Sequence, residues 1–249
     1  MRLLPPTTIP GRILAISVQL DHLQAMDRTT ARRSALEPLL RAFEQYQIPA
    51  TWAFETPSTL DAFPRSHGEA MGHELAAVCA PCDGTERQTQ MVATLRSFRQ
   101  AGISISTILS TNDPPTAHFE SLVRMGINLV ALGAAASGSA EPIATLRFGL
   151  WRLATSWGIP SEGWLGIARG RRRLDRAIRR NEPFHVMVHG EAVLQSPPAA
   201  RMLDRFLQHV DRRREDGMLE VVTLSGIARQ LARPRTSATA ESILRARAA

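Results

Sequence analysis

The segment ILAISVQL, residues 13–20, indicates the architecture of this chain. Its length and its continuous Ile, Leu, Ala and Val content predict a strand that is buried on both faces, as in a parallel sheet. Leu and Phe residues recur at helical spacing over residues 29–46, and a second apolar segment, ATWAF, follows at 50–54. Because two parallel strands need a crossover connection, this strand–helix–strand order predicts a right-handed β/α unit.

The same alternation continues along the chain. Strands are predicted at 73–78, 104–109, 128–132, 146–155, 184–188 and 219–222, and helices at 85–101, 116–125, 171–180, 198–216 and 223–231. About seven such units fit into 249 residues, a length that favours a nearly closed barrel over two open sheets. We predict an α/β protein with a distorted (β/α)7 TIM-like barrel domain over residues 1–232 and a flexible Arg/Ala-rich tail over 233–249.

The composition excludes several classes of protein. The chain is 44% hydrophobic and 21% charged, which is typical of a globular domain and unlike collagen-like, coiled-coil or wholly disordered chains. No apolar run approaches the roughly 18 residues needed to span a bilayer. The start of the chain lacks the apolar core of a secretory signal, and its two cysteines are too few for a disulfide framework. A cytoplasmic protein without a membrane span is therefore expected.

The net charge is +7, and all 30 basic residues are arginine. Seven arginines and one aspartate lie between Arg169 and Arg180, on a predicted amphipathic helix whose apolar stripe is Leu174, Ala177 and Ile178. A solvated helix face is the simpler interpretation of this segment. Nucleic-acid binding through Arg169–Arg180 is a weaker hypothesis, because the segment holds no aromatic residue that could stack on bases.

Chemistry in a barrel of this kind gathers at the C-terminal ends of the strands. Gln19, Asp21 and His22 stand at the end of the first predicted strand. The segment 73–82 contains the third predicted strand and the residues after it, and 189–191 (His-Gly-Glu) follows the strand at 184–188. Polar clusters at three strand ends predict a site at the mouth of the barrel.

Five segments resemble the polysaccharide deacetylase family, which has the NodB-homology fold. In chain order they are ILAISVQLD at 13–21, QYQIPATWAF at 45–54, GHELA at 72–76, FHVMVHG at 184–190 and GMLEVVTLSGIARQL at 217–231. Their shared order and spacing carry the resemblance. It implies a barrel that removes acetyl groups from sugars, with a divalent metal held by an aspartate and two histidines and with a second aspartate as the base.

The resemblance also shows where this chain departs from the family. Gln19 stands at the position of the base, and a carboxamide cannot take a proton from water at neutral pH. The metal aspartate falls on Leu20, or on Asp21 in a spaced form of the motif. Only His189 matches cleanly, and in the family it resembles the general acid that protonates the leaving amine.

The two metal histidines fall on Val78 and Cys82. A metal hydrolase needs about three protein ligands, and valine offers no donor atom. No cofactor is therefore expected. The alternative is a rebuilt site for zinc or another divalent metal, formed by Asp21, Cys82 and His189 with His22 as a further ligand.

Six residues are further candidates for ligand binding: His22, His73, Glu74, His185, Glu191 and Trp151. His73 and Glu74 match a structural part of the family motif, which favours hydrogen-bonded strand positions. His185 shares a strand face with His189, and a buried, hydrogen-bonded imidazole is expected there. Trp151 suits either a platform for a sugar ring or core packing.

The sequence therefore predicts a deacetylase-like pseudoenzyme. Its barrel mouth would bind a carbohydrate or glycan precursor, or the chain would serve as a partner of an active enzyme. The enzymatic alternative is a hydrolase of N-acyl bonds on sugars that uses the rebuilt metal site. Because a catalytic site acts as a unit, the loss of several of its members favours the pseudoenzyme.

Overall fold

The computed structural model of this chain describes residues 12–20, 29–63, 70–79, 84–114, 116–133, 142–160 and 165–232. Its strands are β1 (Ile13–Leu20), β2 (Thr51–Phe54), β3 (Glu74–Cys79), β4 (Thr107–Ser110), β5 (Leu129–Leu132), β6 (Ile143–Thr145), β7 (Trp151–Ala154), β8 (Trp157–Ile159), β9 (Phe184–His189) and β10 (Glu220–Val222). The tail predicted at 233–249 lies outside the described residues.

The α-helices in these ranges connect the strands. They are α1 (Thr29–Gln45), α2 (Gly84–Gln100), α3 (Phe119–Arg124), α4 (Gly166–Arg180), α5 (Gly190–Gln195), α6 (Pro197–Glu215) and α7 (Leu224–Ala232). None of them is both long and apolar enough to cross a membrane.

The strands form a single curled sheet in the order β6-β7-β5-β4-β3-β2-β1-β9-β8, and β10 pairs with the start of β1. All pairs are parallel except β6 with β7. The carboxyl ends of the parallel strands therefore lie at one end of the barrel, which is called the mouth below. This architecture confirms the predicted α/β class and the distorted (β/α) barrel.

Strand β1 shows why both faces of the sheet are apolar. Leu14, Ile16 and Val18 belong to the larger core cluster, which fills the space between the sheet and the outer helices. Ile13 and Ala15 alternate with them and belong to a second cluster, which lies inside the barrel and includes four side chains of α7. The prediction that ILAISVQL is buried on both faces is confirmed.

Four regions differ from the sequence prediction, and two of them are the short elements β6 and α5, which were not predicted. The extended segment expected at 146–155 is a strand only at β7, and β8 follows it as three residues, too few for a periodic pattern to reveal. Helix α4 begins at Gly166 instead of Arg171. Gly166 and Gly170 are both buried in this first part of α4, because Gly170 packs closely on Trp157 of β8.

Helix α7 covers the N-terminal opening of the barrel and is held there by a carboxylate. Glu74, the first residue of β3, accepts hydrogen bonds from Thr51 Oγ1 (2.9 Å), Thr107 Oγ1 (2.6 Å) and the backbone N–H of Ser225 (2.8 Å). The N–H of Leu224 donates to Thr51 Oγ1 at 3.0 Å. Because Ser225 lies in the first turn of α7, the negative charge also faces the positive end of the helix dipole.

We expect Glu74→Ala to lower the free energy of unfolding by about 3 kcal/mol, because it leaves three hydroxyl donors (Thr51, Thr107 and Ser106) and one amide donor without their acceptor. The matched control is Glu120→Ala. It removes a carboxylate from an exposed ion pair with Arg124 and should cost less than about 0.5 kcal/mol. Urea unfolding measures both values. Equal, small losses would show that α7 is held without the help of this carboxylate.

We also expect Gly170→Ala to destabilise the protein by about 1–3 kcal/mol through overpacking, although alanine favours helices over glycine. A methyl group on Gly170 would lie 2.5 Å from the indole of Trp157. That indole is itself packed on Phe206 of α6, with ring centroids 4.9 Å apart, so α4 would have to move. Thermal unfolding, with exposed Gln208→Ala as the control, measures the effect. A rise in melting temperature would contradict this packing argument.

Candidate functional site

Gln19 and His189 lie side by side at the mouth of the barrel. They are register partners on β1 and β9, and adjacent strands are about 4.8 Å apart. Ile13, Ala15 and Met187 lie on the same strand faces as Gln19 and His189 and belong to the inner cluster. Gln19 and His189 are therefore on the inner face of the barrel wall. The described part of the mouth therefore presents a carboxamide next to an exposed imidazole.

Gly190 allows the end of β9 to approach β1 closely. A Cβ atom on Gly190 would lie 2.5 Å from Leu20 Cδ2 and 3.1 Å from the carbonyl oxygen of Gln19. The chain turns here from β9 into α5, with His189 as the N-cap residue and Glu191 in the first turn. The His-Gly-Glu segment thus forms the turn from β9 into α5 at the mouth.

Val78 occupies the inner face of β3, at the position where the family resemblance expects a metal histidine. It is 6% exposed and belongs to the inner apolar cluster with Ala53, Ala76 and Leu109. Its side chain has no donor atom, and the Gln19 carboxamide is not an acid. In the part of the site that the structure describes, these residues do not fit a divalent metal.

The rebuilt metal site remains a prediction. Three of its four expected ligands, Asp21, His22 and Cys82, lie outside the described residues. Within the described ranges, no group of three His, Cys, Asp or Glu side chains is placed to hold a metal ion. Cys79, three residues before Cys82 in the sequence, is a buried cysteine on the outer face of β3.

His185 is fully buried in the barrel wall and bonded at both ring nitrogens. Its Nε2 lies 2.9 Å from Ser17 Oγ, and its Nδ1 lies 3.1 Å from Thr155 Oγ1. The Thr155 hydroxyl donates to the carbonyl oxygen of Leu132 at 2.5 Å. Because that hydroxyl has only one proton, it accepts from His185, which places the imidazole proton on Nδ1 and leaves Nε2 to accept from Ser17.

Burial lowers the pKa of His185 from 6.5 to about 3. A charged imidazole here would lose its hydration and would also repel the donated proton of Ser17. The neutral ring is therefore a structural bridge, as the sequence predicted for a buried histidine. Its two partners were not predicted, although Ser17 interrupts an otherwise apolar strand, which was a visible signal.

Three of the other candidates lie away from the mouth. Glu74 binds α7 at the N-terminal opening of the barrel. His73 precedes it, accepts a hydrogen bond at Nδ1 from the N–H of Ala50 (3.0 Å), and packs with its ring 5.6 Å from that of Trp52. Trp151 is the first residue of β7 and packs partly buried against the inner cluster. A ligand at His189 would lie at the opposite end of the strands from all three.

The buried imidazole gives the stability a specific pH dependence. The unfolded chain binds a proton at His185 near pH 6.5, whereas the folded chain does so only near pH 3, so stability falls as the pH falls between these values. From pH 7 to pH 5 the loss from this residue is about 2 kcal/mol. Between pH 7 and pH 5 the free energy of unfolding of His185→Gln should therefore fall by about 2 kcal/mol less than that of the parent protein. This difference does not depend on how stable the variant is at pH 7.

Urea unfolding at the two pH values measures this difference. Gln100→Ala is the control, since it changes an exposed side chain at the end of α2, leaves every histidine in place and should keep the pH dependence of the parent protein. An unchanged pH dependence in His185→Gln would show that the His185 imidazole is not kept neutral by the fold.

Comparison with solved structures identifies the fold. The chain matches a probable polysaccharide deacetylase from Pseudomonas aeruginosa PAO1 with a TM-score of 0.62 and 13% identity, over 91% of this chain and 93% of that one. It matches PuuE allantoinase with a TM-score of 0.60 and 13% identity, over 91% of both chains. It matches a glycoside hydrolase/deacetylase candidate from Parabacteroides distasonis with a TM-score of 0.63 and 10% identity, over 91% of this chain and 72% of that one.

No protein-family model matches the chain, and no curated protein matches it in sequence. At these identities the structural matches establish the architecture and leave the reaction open. The resemblance found in the five sequence segments is confirmed at the level of the fold. The chain has the distorted (β/α) barrel fold of the polysaccharide deacetylases.

Proposed function

We propose that this barrel binds a glycan at its mouth and does not carry out metal-dependent deacetylation. The observation that supports this most directly is the pairing of Gln19 with His189 at the mouth, with the buried Val78 on the inner face of the neighbouring wall. A carboxamide stands where a base would be needed, and an apolar side chain stands where a ligand would be needed.

The polar groups at the mouth suit recognition of sugar hydroxyls. A carboxamide and an imidazole can each donate one hydrogen bond and accept another, which matches a hydroxyl or acetamido group. Two of the solved structures with this fold have names that refer to sugars. We extend their class of ligand to this chain, but not their reaction.

Binding of N-acetylglucosamine oligomers, measured by titration calorimetry, tests the proposal. Gln19→Leu and His189→Leu should each weaken binding about fivefold to tenfold, because each removes hydrogen bonds worth about 1 kcal/mol in total. Gln208→Leu makes the same chemical change on the exposed face of α6 and should bind as the parent protein does.

Acetate release from the same oligomers and the metal content of the purified protein complete the test. The expected results are no acetate release above the buffer control and no stoichiometric metal. Absence of binding by the parent protein would overturn the glycan proposal. One equivalent of zinc together with His189-dependent acetate release would instead support the active hydrolase with a rebuilt site.

A further inference from the structure

The outer face of α4 presents a row of arginines. Six of them are exposed: Arg169, Arg172, Arg173, Arg176, Arg179 and Arg180. The helix contains one acidic residue, Asp175, and its carboxylate is bound by Arg213 Nε and His209 Nε2, each at 3.0 Å. Asp175 therefore balances groups of α6 and leaves the positive charge of the α4 face in place.

The packing of α4 fixes the direction of this face. Leu174, Ala177 and Ile178 are buried, and Gly170 lies directly against the indole of Trp157. Because there is no space beside Gly170 for a larger side chain, α4 cannot rotate about its own axis. The arginines on its opposite face therefore stay exposed to solvent. Arg173 adds a hydrogen bond from its guanidinium to the carbonyl oxygen of Ser156, at 3.2 Å.

Four of the arginines surround a depression with an apolar floor. The depression has a volume of about 340 Å³ and is lined by Leu165, Ala168, Arg169, Arg172, Arg173 and Arg176. Leu165 is 48% exposed and is one of three exposed large apolar side chains among the described residues. A sugar ring has a C–H face that packs on such a floor, and a carboxylate on the ring can accept a pair of hydrogen bonds from a guanidinium.

The depression lies at the mouth end of the barrel. β8 ends at Ile159, whose register partner Val188 directly precedes His189. α4 then starts at Gly166 and runs back toward the N-terminal end, so Arg169 lies within its first turns. The spacing from Arg169 to Arg176 is about 10.5 Å along the helix, which is close to the length of a disaccharide.

We infer that the α4 arginine face binds the acidic sugars of a polysaccharide that leaves the barrel mouth. The inference rests on the proposed function and names its ligand class as a glycan that carries carboxylates. A nucleic acid fits the face less well, because its phosphates would meet the arginines, but none of the described residues that line the depression is aromatic and could stack on bases. The exposed Leu165 would also face a charged backbone.

Oligogalacturonate is the probe for this face. The variant Arg169→Gln/Arg172→Gln/Arg176→Gln leaves Arg173 and its backbone contact intact. It should weaken oligogalacturonate binding about tenfold or more and reduce the dependence of binding on salt concentration. The control Arg96→Gln/Arg99→Gln/Arg229→Gln removes the same charge from exposed positions on α2 and α7 and should bind as the parent protein does. Melting temperatures verify that both variants are folded.

Neutral N-acetylglucosamine oligomers separate this inference from the proposed function. Equal binding of oligogalacturonate by the two triple variants would overturn the inference, and unchanged binding of neutral oligomers in that case would leave the proposed function standing. Loss of oligogalacturonate binding in the α4 variant alone supports the inference, provided that neutral oligomers still bind both triple variants at the mouth. Tighter, α4-dependent binding of duplex DNA than of oligogalacturonate would overturn it in favour of a nucleic acid.

Discussion

The hydrogen bonds of the neutral His185 imidazole connect parts of the barrel wall that the strand ladders leave separate. In the described part of the chain the sheet ends at β8 on one side and at β6, which pairs with β7, on the other. His185 bonds to Ser17 on β1 and to Thr155 after β7, and Thr155 bonds onward to β5. Gln19 and His189 lie further along the same two strands, so the geometry of the mouth depends on this bridge.

The protein separates its charges from its interior. Ser17, Thr155 and His185 are neutral inside the wall, where an ion would be costly to bury. The carboxylate of Glu74, near the interior, accepts four hydrogen bonds and holds α7 across the N-terminal opening. The arginines of α4 lie outside, on a helix that is packed tightly enough to present them in one direction. The polar groups at the mouth are therefore either neutral, as Gln19 is, or exposed to solvent, as His189 is.

Much of the architecture could be predicted from the sequence, because the apolar runs of β1, β2 and β9 and the helical periodicity of α6 are local properties. β8 was missed because three residues carry no period. The start of α4 was missed. Glycine has a low helix propensity, and the contact of Gly170 with Trp157 is visible only in the tertiary structure. Among the site residues, His185 was expected to be buried, but Ser17 is 168 residues away in sequence and could not be assigned to it.

The sequence alone was sufficient for the fold class and for the chemical identity of the residues at the family's site positions. The functional groups of a glutamine or a valine are the same before and after the chain folds. The tertiary structure decided where these residues meet. Strand register placed Gln19 beside His189 and left Glu74 and Trp151 at the other end of the barrel, and the docking of α4 on Trp157 turned its arginines outward beside the mouth. These relations join residues far apart in the chain, so only packing and register could establish them.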